Sequence, residues 1–276
     1  MVGKNPRERF AELARKPEED IDLAEAALVI AAEAYPDLDI AAYLRRLDAL
    51  ADEARRFVTP ARSDPERIER LNHFLFVEKR FVGNRRRYYD RRNSFLNEVL
   101  DRHTGIPITL ALVYIEVARR LGLPVHGVGF PGHFLAKYVG DQEIIIDAFH
   151  GQVLTERDCA ERLQSVLGPD APFDRSYLQP AGAREILVRM LRNLKQVYIN
   201  AEEFEAALSC SDRILLLLPE AAEDLRDRGL IYQRLECYGA ALADLERFLR
   251  LAPDHETAEA IREDLFTVRR QAAQIH

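Results

Sequence analysis

Cysteine is scarce in this chain. Cys159, Cys210 and Cys237 are the only three in 276 residues, and none forms a C-x-x-C pair. That spacing excludes a disulfide framework and a cysteine-type metal site. No apolar run approaches the ~20 residues that span a bilayer. The opening MVGKNPRERFAELARKPEED lacks the apolar centre of a secretion signal, so a cytoplasmic protein without a membrane segment is expected. An excess of positive charge is missing too: 39 Lys and Arg stand against 46 Asp and Glu, a net charge of -7. Broad attraction to nucleic acid or anionic lipid is therefore not expected. The densest basic stretch is Arg85, Arg86 and Arg87 followed by Arg91 and Arg92, interleaved with Tyr88 and Tyr89. Asp90 and the acidic balance read it as a solvated or internally paired face.

What is present is ordinary globular composition, long enough for one large or two modest domains. Residues 1–100 read as helical. Apolar residues at Phe10, Leu13 and Ala14, across Ile21 to Ala34, and at Leu44, Leu47, Leu50 and Ala51 mark three helices, the last two ending near Pro36 and Pro60. Asp64-Pro65 suits the N-cap and first turn of a fourth, running to Phe81. Ser94 to Leu100 is a short further helix.

Gly105-Ile106-Pro107 opens the most informative region. Proline at the first helical position suits a helix start. The segment Ile108 to Leu121 is apolar almost all round, which predicts a buried central helix. Gly122 ends it and Pro124 prevents continuation. A strand follows at Val125 to Gly129. Then comes a hairpin of His133 to Tyr138 and Glu143 to Ala148 around Gly140-Asp141. His133 and Asp147 are equidistant from Gly140, which predicts neighbouring strands with both side chains on one face.

Proline- and glycine-rich segments around residues 168–172 and 179–182 punctuate a linker. Beyond it, Tyr198, Phe204, Ala207, Leu208, Leu215 and Pro219 recur thirty-four positions later as Tyr232, Tyr238, Ala241, Leu242, Leu249 and Pro253. That period resembles the tetratricopeptide unit of two helices, with small residues at the close approach and aromatics filling the groove. Residues 255–273 read as a capping helix. Two copies are fewer than usually stand alone, so the array is expected to pack on the preceding domain.

The order helix start, His133, Asp147 resembles the core of transglutaminase-like, papain-type enzymes. HFLAKY followed by IIIDAF matches their histidine and aspartate strands, with Phe134 as the aromatic. The blocks NSFLNEVL from Asn93, GIPITL from Gly105 and GVGFPGHF from Gly127 narrow the likeness to the SirB family of bacterial proteins. The resemblance implies an α+β fold: a helical N-terminal region (1–64), a transglutaminase-like domain (65–180) with a central helix and small antiparallel sheet, and tetratricopeptide-like repeats (184–276). It implies no settled substrate.

In a Cys–His–Asp site the histidine takes the thiol proton and the aspartate orients the imidazole. The nucleophile sits at a helix N-terminus, which lowers its pKa. Here Pro107, Ile108 and Thr109 stand where the cysteine is expected. Thr109, His133 and Asp147 are thus the candidates for a degenerate triad. A threonine hydroxyl is a weak nucleophile without an N-terminal amine beside it; satisfying a backbone group in the first turn is the competing role for Thr109. Asn97, Glu98, Pro107 and Phe134 are candidate pocket residues, with capping or packing the competing role for Asn97 and Glu98. Cys159 reads as a core residue. His103, His126 and His150 match no metal-ligand spacing. The expectation is a non-catalytic module binding a peptide or protein in the cleft and on the repeats, with no cofactor, metal or nucleic acid. The alternative is a hydrolase or acyl-transferase using Thr109, His133 and Asp147.

Overall fold

The fold comes from a computed structural model that describes residues 5–274 and divides into two units, one through Leu187 and one from Val188. In the first, α1 (Pro6–Ala14) is capped by the Asn5 side chain and α2 (Leu23–Ala32) by Asp22, which accepts from the Glu25 amide at 2.8 Å. Nearly all of α2 is buried. In α3 (Ile40–Val58), Leu47, Ala51, Ala54 and Val58 form a helical stripe facing inward. For α4 (Asp64–Asn72), the cap is Ser63 rather than the expected Asp64: its extended backbone lets the hydroxyl accept from the Glu66 amide. The helix runs on as a wider π turn from His73 to Glu78 and stops short of Phe81.

Two short parallel strands follow, β1 (Val82–Gly83) and β2 (Thr104–Gly105), flanking α5 (Leu96–Arg102). The central helix α6 (Pro107–Arg120) begins at the predicted proline and is buried from Pro107 through Ala118. The helices α3 and α5 pack around it, as do the first two strands of a four-stranded antiparallel sheet: β3 (Val125–Val128), β4 (Leu135–Val139), β5 (Glu143–Asp147) and β6 (Gln152–Leu154). Ala136 pairs with Ile146 and Val139 with Glu143, so the hairpin centres on Asp141. That register is two residues from the expected one. Because side chains alternate with period two, such a shift leaves every residue on its predicted face.

The sheet's far side holds a cluster of Val128, Phe130, Leu135, Ile145 and Leu154 with Cys159 and Leu163 of α7 (Glu156–Leu167) and Leu178. The segment read as a linker is part of this layer. Pro180 bridges Val128, the Ala181 amide donates to the Gly127 carbonyl at 2.8 Å, and Lys137 Nζ donates to the Leu178 carbonyl at 3.2 Å. It covers the edge that β3 would otherwise expose.

After α8 (Ala183–Asn200), the second unit holds α9 (Phe204–Leu217), α10 (Ala222–Arg234), α11 (Tyr238–Leu251) and α12 (Ala258–Gln274). Ala207 and Ala241 are fully buried, as the repeat predicts, and Tyr198 is buried. Tyr232 departs from expectation. It is only half-buried, and the Arg228 guanidinium lies over its ring. Arg228 bridges two helices of consecutive repeats. It donates to Asp212 Oδ1 of α9 at 2.9 Å and to both oxygens of Asp244 of α11 at 2.6 and 2.9 Å. Among the described residues, no helix is long and apolar enough to cross a membrane.

Candidate functional site

The paired strands β1 and β2 meet at Gly83 and Gly105, and both glycines are required for space. A Cβ at Gly83 would lie 2.5 Å from the Phe149 ring, and one at Gly105 would lie 2.7 Å from Thr109 Oγ1. These two clearances seat the residues on either side of the site.

Thr109 is fully buried in the first turn of α6. Its Oγ1 accepts from the Ile106 amide at 3.1 Å and lies 2.7 Å from the Asn93 carbonyl, to which it donates. A helix start leaves amides without intrahelical partners, and this hydroxyl satisfies one of them. Its hydrogen bonds go to Ile106 and Asn93 and not to His133. Pro107 is buried as the first helical residue. The first turn of α6 therefore presents no thiol, and its one hydroxyl is committed to the backbone.

The structure brings His133 and Asp147 together. His133 lies in the turn of residues 131–133 that precedes β4, not on the strand, and its Nε2 is 3.0 Å from Asp147 Oδ1. Asp147 ends β5 with no exposed surface and is surrounded by donors. The amides of Phe149 (3.0 Å) and His150 (3.2 Å) reach Oδ1; His150 Nδ1 (2.7 Å) and the Arg162 guanidinium reach Oδ2. Burial alone would push this carboxyl up. The hydrogen bonds and charges of His133, His150 and Arg162 outweigh it and hold the group well below the usual carboxylate range. The ionised carboxylate accepts only, so both imidazoles donate to it, His133 through Nε2 and His150 through Nδ1. The two imidazole rings stack at 5.7 Å, and the Phe149 ring meets both edge-on, 6.1 Å from His133 and 5.1 Å from His150.

Sequence reasoning left His150 outside the site and missed Arg162, Phe149 and Tyr88. For His150 the signal was available: it stands three residues after Asp147 in a turn, the spacing at which a side chain folds back on a carboxylate. Arg162 comes from α7, and nothing local marks it. The ligand atoms of His133, Asp147 and His150 lie within 4.8 Å of one another, a donor set able to hold a metal ion. A cation there would have to displace the imidazole donors and share Asp147 with Arg162. His103, by contrast, bonds the Lys79 carbonyl and stacks on Phe81, and His126 is exposed on β3.

The remaining pocket candidates differ in burial. Phe134 is buried against the β3 backbone, where a Cβ at Gly127 would come within 2.8 Å of its ring. Asn97 is buried, and its Oδ1 has no hydrogen-bond partner among the described residues. Glu98 is half-buried. It accepts from Tyr35, whose hydroxyl is pushed up to about 12 by burial and by this bond. Cys159 is fully buried beneath the sheet, and burial pushes its thiol up to about 11. A cleft of about 510 Å³ lies at the other end of α6, between Glu19–Leu23 and the start of β3. None of the site residues lines it.

The profile of the transglutaminase-like superfamily matches residues 41–192, and that of the tetratricopeptide repeat matches residues 194–265. A UPF0162 protein of Xylella fastidiosa is 42% identical over 269 residues, spanning 96% of both chains. A UPF0162 protein of Pseudomonas aeruginosa is 38% identical over 84% of this chain and 85% of its own. Protein SirB1 of Salmonella typhimurium is 29% identical over 84% and 86%.

Proposed function

Because the chain belongs to the SirB family, with its transglutaminase-like domain followed by tetratricopeptide repeats, we propose that it is a binding protein which keeps the histidine–aspartate half of an acyl-transfer site without its nucleophile. The site face holds a peptide or protein segment, and the repeats add a second protein-binding surface. The observation that carries this reading is the state of Thr109: fully buried, with its hydroxyl committed to Ile106 and Asn93. Attack on a carbonyl requires the nucleophilic oxygen to reach substrate and hand its proton to a base. Thr109 would have to abandon its cap to do either. Cys159 offers no substitute, being buried beneath the sheet with a raised pKa.

Asp147 and His133 persist in this reading because they hold the fold together. The carboxylate ties β5, the turn before β4, the turn after β5, and α7. The test is exposure of the full chain to an activated ester such as p-nitrophenyl acetate, with intact-mass analysis. The expected result is no burst and no acyl adduct. An adduct on Thr109, abolished in the His133→Ala variant, would overturn the proposal.

One observation favours a second reading, a hydrolase or acyl-transferase. The Nε2 contact of His133 to Asp147 is the geometry of a working base and its orienting acid. The same ester assay decides between the two.

A further inference from the structure

The segment between β1 and α5 is pinned from below and charged above. Asn84 Oδ1 accepts from the Arg87 amide at 3.0 Å. Asn93, fully buried, donates Nδ2 to the carbonyls of Arg87 (2.7 Å) and Tyr88 (3.1 Å), and its Oδ1 takes the Asn84 side chain at 3.1 Å. The Asn93 carbonyl in turn receives the Thr109 hydroxyl. The loop backbone is thus held by two asparagines joined to the start of α6.

The side chains of this loop point outward. Arg85, Arg86 and Arg87 are exposed, and none forms an ion pair among the described residues, whereas Arg92 close by is paired with Asp90. In a chain of net charge -7, three adjacent uncompensated guanidiniums are a local exception. Beside them, Tyr89 is 69% exposed and packs edge-on against Tyr88 at 5.3 Å. The Tyr88 ring lies 6.0 Å from Phe149, which touches His133 and His150. A continuous path leads from the arginines, over two tyrosines, to the histidine–aspartate face.

We propose that Arg85, Arg86 and Arg87, with Tyr88 and Tyr89, are the recognition element for an acidic polypeptide segment that runs across the loop to the face formed by His133, Phe149 and His150. The inference rests on the binding reading above and gives its partner a chemistry. Guanidinium forks match carboxylates in two-point hydrogen bonds. Exposed tyrosines supply flat apolar area with a polar edge for the intervening backbone. A rigid loop loses little entropy when its partner arrives. A nucleic acid is disfavoured because it engages many phosphates over a long span, and outside this patch the chain's net charge repels a polyanion.

The test uses the full chain and three fluorescein-labelled probes: a short glutamate-rich peptide, its lysine-rich counterpart and a short oligothymidylate. Anisotropy should show binding of the glutamate peptide, weakened by salt. The combined Arg85→Ala, Arg86→Ala and Arg87→Ala variant should bind it at least about tenfold more weakly, each exposed pair contributing a few-fold. The combined lysine variant should fall between the two, since it keeps charge but loses the forks. A photo-crosslinking residue in the peptide should label residues 84–92 or 149–150. The three substituted arginines are exposed, so unfolding is not a concern, and circular dichroism checks it. Equal binding of the glutamate and lysine peptides, or an alanine variant that binds like wild type, overturns the inference. So does oligothymidylate binding tighter than the glutamate peptide. These outcomes are separable from failure of the parent reading: an acyl adduct in the ester assay sinks the non-catalytic role while charge selectivity is still measured independently.

Discussion

Thr109→Val separates a hydroxyl that holds the fold from one that does chemistry. Valine keeps the branched shape and removes both the acceptor for the Ile106 amide and the donor to the Asn93 carbonyl, two buried backbone groups held at 3.1 and 2.7 Å. A buried polar group left unpaired costs about 1–3 kcal/mol, so the pair amounts to about 2–6 kcal/mol. The extra buried methyl returns about 1 kcal/mol. A net loss of about 1–5 kcal/mol is expected, a large share of the ~5–15 kcal/mol available to a domain. Thr109→Ser keeps both hydrogen bonds and loses one methyl, about 1 kcal/mol. The order is therefore wild type, then serine, then valine. Urea unfolding followed by far-UV circular dichroism gives the ranking. Hydrogen exchange at residues 84–93 and 106–113 assigns it to the first unit, since a chain of two units need not unfold in one step. Exchange in the loop should quicken too, because Asn93 connects it to Thr109. A valine variant as stable as the serine variant would show that these hydrogen bonds contribute nothing and would return the hydroxyl to the list of reactive groups.

Asp147→Asn should lower stability at neutral pH by about 3–5 kcal/mol, since it leaves Arg162 and two imidazoles facing an uncharged group. The folded-state pKa of Asp147 is depressed, so its stabilisation is present above the unfolded value of about 3.9 and is lost as pH falls below it. Wild type should thus lose stability below about pH 4 more steeply than the asparagine variant, and identical acid slopes would contradict this. Tyr114→Phe should raise stability by about 1 kcal/mol, because the phenol is buried with no hydrogen-bond partner among the described residues; a lower melting temperature would count against it. In the repeats, a Cβ at Gly229 would lie 2.7 Å from the Leu245 side chain and 3.3 Å from the Ala241 carbonyl oxygen. Gly229→Ala should therefore cost about 1–3 kcal/mol, and Ala207→Glu or Ala241→Glu more, by burying an unpaired charge. Unchanged unfolding of all three would mean the thirty-four-residue period has no packing role.

Much of the fold was legible because it is periodic. The apolar run behind Pro107 announced a buried helix, and the repeat announced its helix pairs. The hairpin was visible, but its register was not. The turn residues Gly140 and Asp141 allow two centres, and the two-residue shift changed no face, so hydrophobic alternation could not choose between them. His133 and Asp147 were found together by their order in the chain, although His133 proved to sit before the strand. Arg162 was invisible because a helix residue that reaches a distant carboxylate leaves no local pattern. The segment around Pro180 looked like a spacer because its composition is that of one; only the uncovered edge of β3 explains why it packs. The arginine run read as solvated or paired, and composition could not reveal that Arg85, Arg86 and Arg87 form no ion pair among the described residues.

Arg228 stands sixteen positions from Asp212 and sixteen from Asp244, and it grips both. In a short array each repeat is stabilised mainly by its neighbour, so the outermost one would ordinarily unravel first and alone. A single guanidinium shared between successive repeats joins their fates. Loosening either neighbour strands the same half-buried charge, so the helices from α9 to α11 should come apart in one step, and a partner that seizes one repeat steadies the other without touching it.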